Sequence, residues 1–85
     1  MGLLSVMNLK ILFFGATADA AGSREIELQT GGNLTVERLA RDLTREYPAL
    51  SKLKLLIAVN EEYAEAESDL SDGDKIAVFT AVSGG

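Results

Sequence analysis

One amphipathic helical segment constrains the fold of this chain more than any other feature of the sequence. Its apolar residues recur at helical spacing and form one continuous stripe, made of Val36, Leu39, Ala40, Leu43 and Tyr47. Thr35 is predicted to cap the start of the helix, and Pro48 to end it by restricting the backbone of the preceding residue. The sequence predicts a single main helix, so that helix has to cover one face of whatever the other residues form.

The remaining apolar runs are short and are typical of strands. Two precede the helix, at 8–14 and 24–28, and the second alternates polar and apolar residues as an edge strand does. Residues 15–23, between them, are predicted to form a loop of small residues. Strands at 54–59 and 75–80 follow the helix, with a turn at 60–62, a short polar strand near Tyr63 and a turn at Asp72-Gly73. This order predicts an α+β fold, in which one main helix covers one face of a mixed sheet of four to five strands, and the ubiquitin-like β-grasp is the natural candidate.

The length and charge of the chain limit its organisation and its partners. With 85 residues we expect a single β-grasp domain at 1–80, which begins with an apolar lead-in at 1–7 and is followed by a flexible tail at 81–85. The net charge of −5 argues against nucleic acid and anionic membranes as partners. No apolar run approaches the length of a membrane-spanning helix, and the first residues lack the basic start of a signal peptide, so a cytoplasmic location is predicted.

The residue types present restrict the chemistry that the domain itself could perform. The chain has no cysteine and no histidine, which excludes thiolate nucleophiles, imidazole acid–base catalysis and cysteine–histidine zinc sites. Three acidic residues cluster without the spacing of a calcium loop: Asp69, Asp72 and Asp74. We interpret that cluster as a solvated turn, Gly31-Gly32 as a plain turn rather than a phosphate loop, and Tyr47 and Tyr63 as packing residues. We therefore expect no internal catalytic residue, no metal and no bound cofactor.

The chain ends in Ser83-Gly84-Gly85, and this ending favours a reactive terminus. A terminal carboxyl group is ionised at neutral pH and resists nucleophiles, so it needs activation before it can react. Gly84 and Gly85 lack a Cβ atom and can enter a channel too narrow for a side chain. The alternative is an ordinary frayed terminus, since chain ends are often disordered and tolerate glycine. The ending by itself does not decide between these interpretations.

A second candidate surface follows from the alternation of side chains along the strands. One face of the sheet is covered by the helix, and lysines on strands 1, 3 and 5 mark the opposite face as open. The residues predicted to lie on that open face are Leu12, Phe14, Leu56, Ala77 and Phe79. This is more apolar surface than a lone domain usually exposes, which favours a protein-binding face. The alternative is that these strands are central and partly shielded by loops.

Several segments together resemble a known family. They are the opening strand from Lys10 to Gly15, the helix from Thr35 to Leu39 with its ending at 47–50, the stretches 58–63 and 70–77, and the terminal Val82-Ser83-Gly84-Gly85. In order, spacing and total length they resemble the small, ubiquitin-like subunit of molybdopterin synthase (MoaD type). The resemblance covers nearly the whole chain from residue 9.

This resemblance implies a sulfur carrier that is a non-catalytic subunit of a heterotetrameric synthase. Gly85 would be adenylated with ATP by a partner related to ubiquitin-activating enzymes (MoeB type) and then converted to a thiocarboxylate. The large synthase subunit (MoaE type) would receive the tail, with Gly84 threading its channel, and cyclic pyranopterin monophosphate would accept the sulfur. Phe79 matches an aromatic residue that packs at the partner interface, and Val82 joins the open-face residues as a predicted partner contact.

The chain departs from the resemblance at Thr80-Ala81, where typical members have two prolines. Since proline stiffens a chain, we expect a more flexible tail here. Two alternatives stay open. One is another ubiquitin-like carrier or modifier, which would serve thiamine synthesis, tRNA thiolation or lysine conjugation. The other is an interaction domain whose glycines are incidental.

Overall fold

Five strands and two helices make up the part of the chain that the computed structural model describes, residues 6–81. The strands are β1 (Val6–Phe13), β2 (Glu25–Gly31), β3 (Leu55–Val59), β4 (Glu62–Tyr63) and β5 (Lys75–Thr80). The helices are α1 (Ala16–Ala21) and α2 (Val36–Glu46), and a 3₁₀ turn covers Pro48–Lys52. The sheet order is β2-β1-β5-β3-β4, with β1 and β5 parallel and every other pair antiparallel. This mixed sheet with one main helix confirms the predicted α+β, β-grasp architecture.

Helix α2 begins and ends where its sequence signals lie. The Thr35 side chain accepts a hydrogen bond from the backbone N–H of Arg38 at 3.2 Å, as an N-cap does. The helix stops at Glu46, and Pro48 opens the 3₁₀ turn that follows. Val36, Leu39 and Leu43 are buried against the sheet, so the apolar stripe is the face that seals the core.

The prediction of a loop at 15–23 was wrong, because residues 16–21 form helix α1. The run Ala-Thr-Ala-Asp-Ala-Ala is rich in the best helix former, but six residues are too few to show a helical periodicity in the sequence. Gly15 precedes the helix at φ 60° and ψ −128°, a conformation that strongly favours glycine, and Gly22 ends it in the left-handed region. The two glycines therefore bound a helix and do not mark a flexible loop.

Strand β1 begins earlier than predicted, so the expected apolar lead-in at 1–7 is too long. Val6 pairs with Gly31 and Met7 with Thr30 across β1 and β2. Met7 is buried in the core on the same side as Leu9, because the alternation of the strand extends through it. Strand β2 is an edge strand, as predicted, and runs on to Gly31.

The core lies between the sheet and α2, and it follows the predicted alternation. Buried strand residues all point to the helix side: Leu9, Ile11, Phe13, Ile57, Ile76 and Val78. Tyr47 packs its ring against Phe13 in an edge-to-face contact, with ring centroids 5.9 Å apart, which confirms its predicted packing role. Among residues 6–81 no helix is long and apolar enough to cross a membrane.

Two residues of the acidic cluster lie in a turn, as predicted, but their carboxylates accept hydrogen bonds from the protein, and Asp69 instead bridges to Thr35. Asp72 Oδ1 accepts from the backbone N–H of Asn8 at 2.7 Å, and Asp74 Oδ2 accepts from that of Ser71 at 2.8 Å. Asp74 Oδ1 also accepts from the side-chain amide of Asn60 at 2.9 Å. These carboxylates therefore tie β1 and the β3–β4 turn to the segment before β5, at the end of the sheet opposite Thr80.

Candidate docking surface beside the C-terminal residues

The strand that leads to the C-terminal residues occupies the centre of the sheet. Strand β5 lies between β1 and β3, and Thr80 is its last residue, paired with Leu55. Ala81 follows and is the last residue that the structure describes. Because β5 is held on both sides, the point from which the last residues continue is fixed relative to the rest of the domain.

Helix α1 holds the ends of β1 and β5 together through the hydroxyl group of Thr17. This residue is fully buried, and its Oγ1 donates at 2.7 Å to the carbonyl of Val78 and lies 2.8 Å from the carbonyl of Phe14. The same oxygen accepts from the backbone N–H of Phe14 at 3.0 Å, and that N–H also lies 3.0 Å from the Val78 carbonyl. A single side chain thus links the end of β1 to β5, beside the predicted partner contacts Phe14 and Phe79.

The open face carries an apolar patch at this same end of the sheet. Leu12 pairs with Ala77, which pairs with Ala58 on its other side, and Leu56 pairs with Phe79. Phe14 follows β1 and comes level with Phe79, because Phe13 pairs with Val78. We define the apolar patch as Leu12, Phe14, Leu56, Ala58, Tyr63, Ala77 and Phe79. Five of these residues are half-buried, whereas Phe14 and Tyr63 keep 52% and 78% of their surface exposed.

Two members of the apolar patch were not predicted from the sequence. Ala58 lies two residues after Leu56 on β3 and therefore on the same face of the sheet, so the alternation of side chains could have identified it. Tyr63 was interpreted as a packing residue, but it lies largely outside the core and contacts Phe79 with ring centroids 5.9 Å apart at a tilt of 51°. Its position depends on the two-residue turn between β3 and β4, which pairs it with Ala58.

The rest of the open face carries charged residues at its centre, and the apolar patch lies at the end of the sheet where β5 ends. Lys10 and Lys75 are paired across β1 and β5, both are exposed, and Lys10 Nζ lies 3.6 Å from a carboxylate oxygen of Glu25. A groove of about 490 Å³ extends the patch past Phe14, between the end of β1, α1 and the start of β2. The face therefore divides into a charged half and an apolar, partly concave half.

The structure brings five of the predicted site residues together and leaves three outside its described range. Leu12, Phe14, Leu56, Ala77 and Phe79 all lie in the apolar patch. The predicted site residues Val82, Gly84 and Gly85 lie outside the described residues. Four of the five are half-buried and Phe14 is exposed, which partly agrees with the alternative of central strands, since β1, β5 and β3 are interior strands of the sheet. The role of the patch in partner binding stays a prediction.

Comparison with known proteins identifies the family. A model of the ThiS family matches residues 11–85, most of the chain. The chain belongs to the ThiS family. It is also similar to the molybdopterin synthase sulfur carrier subunit of Caenorhabditis briggsae, with 34% identity over 94% of this chain and 100% of the relative. The predicted resemblance to molybdopterin synthase small subunits is thereby confirmed.

Solved structures share the fold of this ThiS family member. The crystal structure of SAMP1 from Haloferax volcanii superimposes with a TM-score of 0.80 at 28% identity, covering 92% of this chain and 99% of that one. A second likeness is to a complex described as subunits 1 and 2 of the molybdopterin-converting factor from Helicobacter pylori. The matching chain there has a TM-score of 0.67 at 23% identity, with 93% of this chain and all of that chain covered, and supports the fold alone.

Proposed function

We propose that this protein is the sulfur carrier subunit of a molybdopterin synthase, and that Gly85 carries the sulfur as a thiocarboxylate. The observation that carries the proposal is the position of the end of β5. This central strand leads directly into the terminal residues, beside the apolar patch. Membership of the ThiS family and the similarity to sulfur carrier subunits support the same role.

The terminal carboxyl group of Gly85 reacts in two steps. An activating enzyme of the ubiquitin-activating type first joins a carboxylate oxygen to the α-phosphate of ATP and releases pyrophosphate. A hydrosulfide equivalent then attacks the carbonyl carbon, AMP leaves with the bonding electrons, and a thiocarboxylate remains. Adenylation is needed because a free carboxylate offers no adequate leaving group. The reacting group belongs to the carrier, while its partners supply the catalytic residues.

The apolar patch positions this terminus by docking on the large synthase subunit. Residues 81–85 can span at most about 17 Å when extended, which is enough to reach into a pocket of a partner that is bound beside them. Binding through the patch converts an encounter between two proteins into a reaction within one complex. The thiocarboxylate sulfur then attacks a carbon of cyclic pyranopterin monophosphate in the large subunit and displaces an oxygen leaving group there. Water hydrolyses the resulting acyl–sulfur bond, which leaves the sulfur on the pterin and returns the carrier to its carboxylate form.

Intact-mass measurement tests the proposal directly. The purified protein is incubated with an activating enzyme, ATP and a sulfur donor, and its mass should rise by the difference between a sulfur and an oxygen atom. A variant with one alanine appended after Gly85 should keep its original mass, because the reactive carboxyl is displaced from the paired glycines. Ser83→Ala is the matched control, since it changes the tail and leaves Gly84 and Gly85 in place.

Two results would contradict the proposal. One is an unchanged wild-type mass under conditions in which the activating enzyme converts another sulfur carrier. The other is full conversion of the alanine-extended variant, shown by its mass to have kept the added residue. Either result would mean that the chain terminus is not the site of sulfur loading.

Conjugation to proteins is a second candidate function, favoured by the similarity to SAMP1, a small archaeal modifier protein. In that role the activated Gly85 carbonyl is attacked by a lysine amine, an amide bond forms and AMP leaves. Lys75 is the last basic residue of the chain, so trypsin would leave residues 76–85 attached to the modified lysine. Detection of that branched peptide from cells would establish conjugation, whereas its absence alongside thiocarboxylate formation would favour the carrier function alone.

A further inference from the structure

The long edge strand β2 presents a row of backbone groups that the sheet does not pair. It lies at one end of the sheet and pairs only with β1. The backbone N–H of Phe13 donates to the carbonyl of Arg24 at 2.8 Å. Because hydrogen-bonding direction alternates along an antiparallel pair, Ile26 and Leu28 also direct their backbone groups toward β1. The backbone groups of Glu25, Glu27 and Gln29 consequently point away from the sheet.

An apolar groove runs beside this free edge on the helix side of the sheet. It measures about 400 Å³, and its apolar lining comes from both β2 and α2: Ile26, Leu28, Leu43 and Tyr47. Side chains of a strand alternate between the two faces of a sheet. Every second side chain of a strand added to β2 would therefore enter this groove.

Three acidic residues also line the groove: Asp42 and Glu46 from α2, and Glu27, whose side chain points to the opposite face of the sheet. Within residues 6–81 the ion pairs are Lys10–Glu25 and Glu37–Arg41, so none of these three carboxylates has a cationic partner within 4.0 Å in the described part of the chain. Asp42 also lines a neighbouring polar groove with Arg38, but at a distance beyond ion pairing. The groove thus combines an apolar floor with negative charge that is not neutralised locally.

The charge of this edge selects between possible occupants. Pairing of two copies of β2 would bring the edge glutamates of two chains together, and each chain carries a net charge of −5. A basic segment would instead find carboxylates on the helix side of the groove and at Glu25 and Glu27 on the other face. The same glutamates that oppose self-association therefore favour a cationic partner.

We propose that the free edge of β2 and the groove beside it bind an extended segment of another protein, with apolar residues alternating with lysine or arginine. The segment adds a sixth strand through the backbone groups of Glu25, Glu27 and Gln29. Its apolar side chains enter the groove, and its cations, which alternate with them, lie on the opposite face of the sheet beside Glu25 and Glu27. The groove lies on the opposite side of the sheet from the apolar patch, so this site is separate from the surface assigned to the synthase partner.

A synthetic peptide tests this site without knowledge of the natural partner. The probe is an end-capped peptide of alternating valine and lysine, as long as β2, titrated into the full-length ¹⁵N-labelled protein. We expect saturable chemical-shift changes along β2 and along the face of α2 from Asp42 to Tyr47, with slower amide exchange at Glu25, Glu27 and Gln29. An alternating valine–glutamate peptide should not bind, and N-methylation of the backbone of the lysine peptide should abolish binding.

Matched variants separate the proposed site from general attraction to an acidic protein. The double change Glu25→Gln and Glu27→Gln should weaken binding at least about threefold, since it removes the carboxylates on the face that receives the cations and keeps the side-chain shape. Glu61→Gln with Glu62→Gln removes the same charge from the β3–β4 hairpin and should leave the affinity unchanged. Equal loss in both double variants, shifts centred on Phe79, tight binding of the N-methylated peptide or no saturable binding would each overturn the proposal.

Discussion

Thr17 shows how one buried polar side chain can fix the geometry of a functional end. Its hydroxyl group is fully buried and makes contacts with Phe14, the residue after β1, and with Val78 in the last half of β5. Buried polar groups are costly unless they find partners, so this arrangement stabilises only one relative position of α1 and the two strands. Gly15 contributes to the same geometry, because its φ of 60° and ψ of −128° turn the chain from β1 into α1.

Replacing Thr17 with valine should lower the free energy of unfolding by about 1–3 kcal/mol, the usual cost of leaving buried hydrogen-bonding groups without a partner. Valine keeps the shape of the side chain and removes only the hydroxyl group. Thr17→Ser is the control, because it retains the hydroxyl and should cost less than valine. Urea denaturation followed by circular dichroism measures both values, and a valine variant as stable as wild type would show that the hydroxyl is dispensable.

At the scale of elements, α2 combines the clearest local signals with the largest share of the core. Its N-cap Thr35 forms a single antiparallel β-bridge with Asp69 through the backbone, and the backbone N–H of Val36 donates to the carbonyl of Ser68 at 3.0 Å. The start of the helix is therefore tied to the loop that precedes β5. Its buried residues Leu39 and Leu43 pack in the core between the helix and the sheet.

The N-cap of α2 gives a prediction at this scale. Thr35→Ala should destabilise the protein by about 1 kcal/mol, because the N–H of Arg38 loses its side-chain acceptor at the end of the helix. Thr44→Ala is the matched control on the same helix, where the exposed hydroxyl only donates to the Arg41 carbonyl and alanine is the better helix former. Thermal unfolding of the two variants should separate them, and equal melting temperatures would contradict the capping assignment.

For the whole molecule, the important feature is that charge and apolar surface are divided between different faces and ends. The apolar patch adjoins the end of β5, the paired lysines lie further along the same face, and the acidic turn at Asp72 and Asp74 lies at the opposite end. The β2 groove occupies the helix side. A small domain with this division can engage partners on separate surfaces.

Phe79→Ala should weaken binding to the large synthase subunit by about 1–3 kcal/mol, the loss typical of a buried aromatic interface residue. Phe79 is the residue of the patch nearest the end of β5, and its ring contacts Tyr63. Val6→Ala is the matched control, since Val6 is an exposed apolar residue at the far end of β1. Isothermal titration calorimetry measures both, and an unchanged affinity for the Phe79 variant would place the interface elsewhere.

The sequence by itself determined the elements whose signals are local. The stripe, cap and stop of α2 and the alternation of β1, β3 and β5 depend on neighbours a few residues apart, so both helix limits and the core-facing residues followed from them. The placement of Leu12, Ala77 and Phe79 on one face followed from the same alternation, whereas their pairing did not.

Tertiary structure alone decided the features that depend on distant contacts. Helix α1 is a short alanine run, and it is held in place by Thr17 bonding to Val78, 61 residues away in the chain; a helix of this length is marginal without such packing. Tyr63 joins the apolar patch because of the β3–β4 register, and the β2 groove exists only where that edge meets α2. Contacts between residues far apart in the chain set these positions, and no local pattern records them.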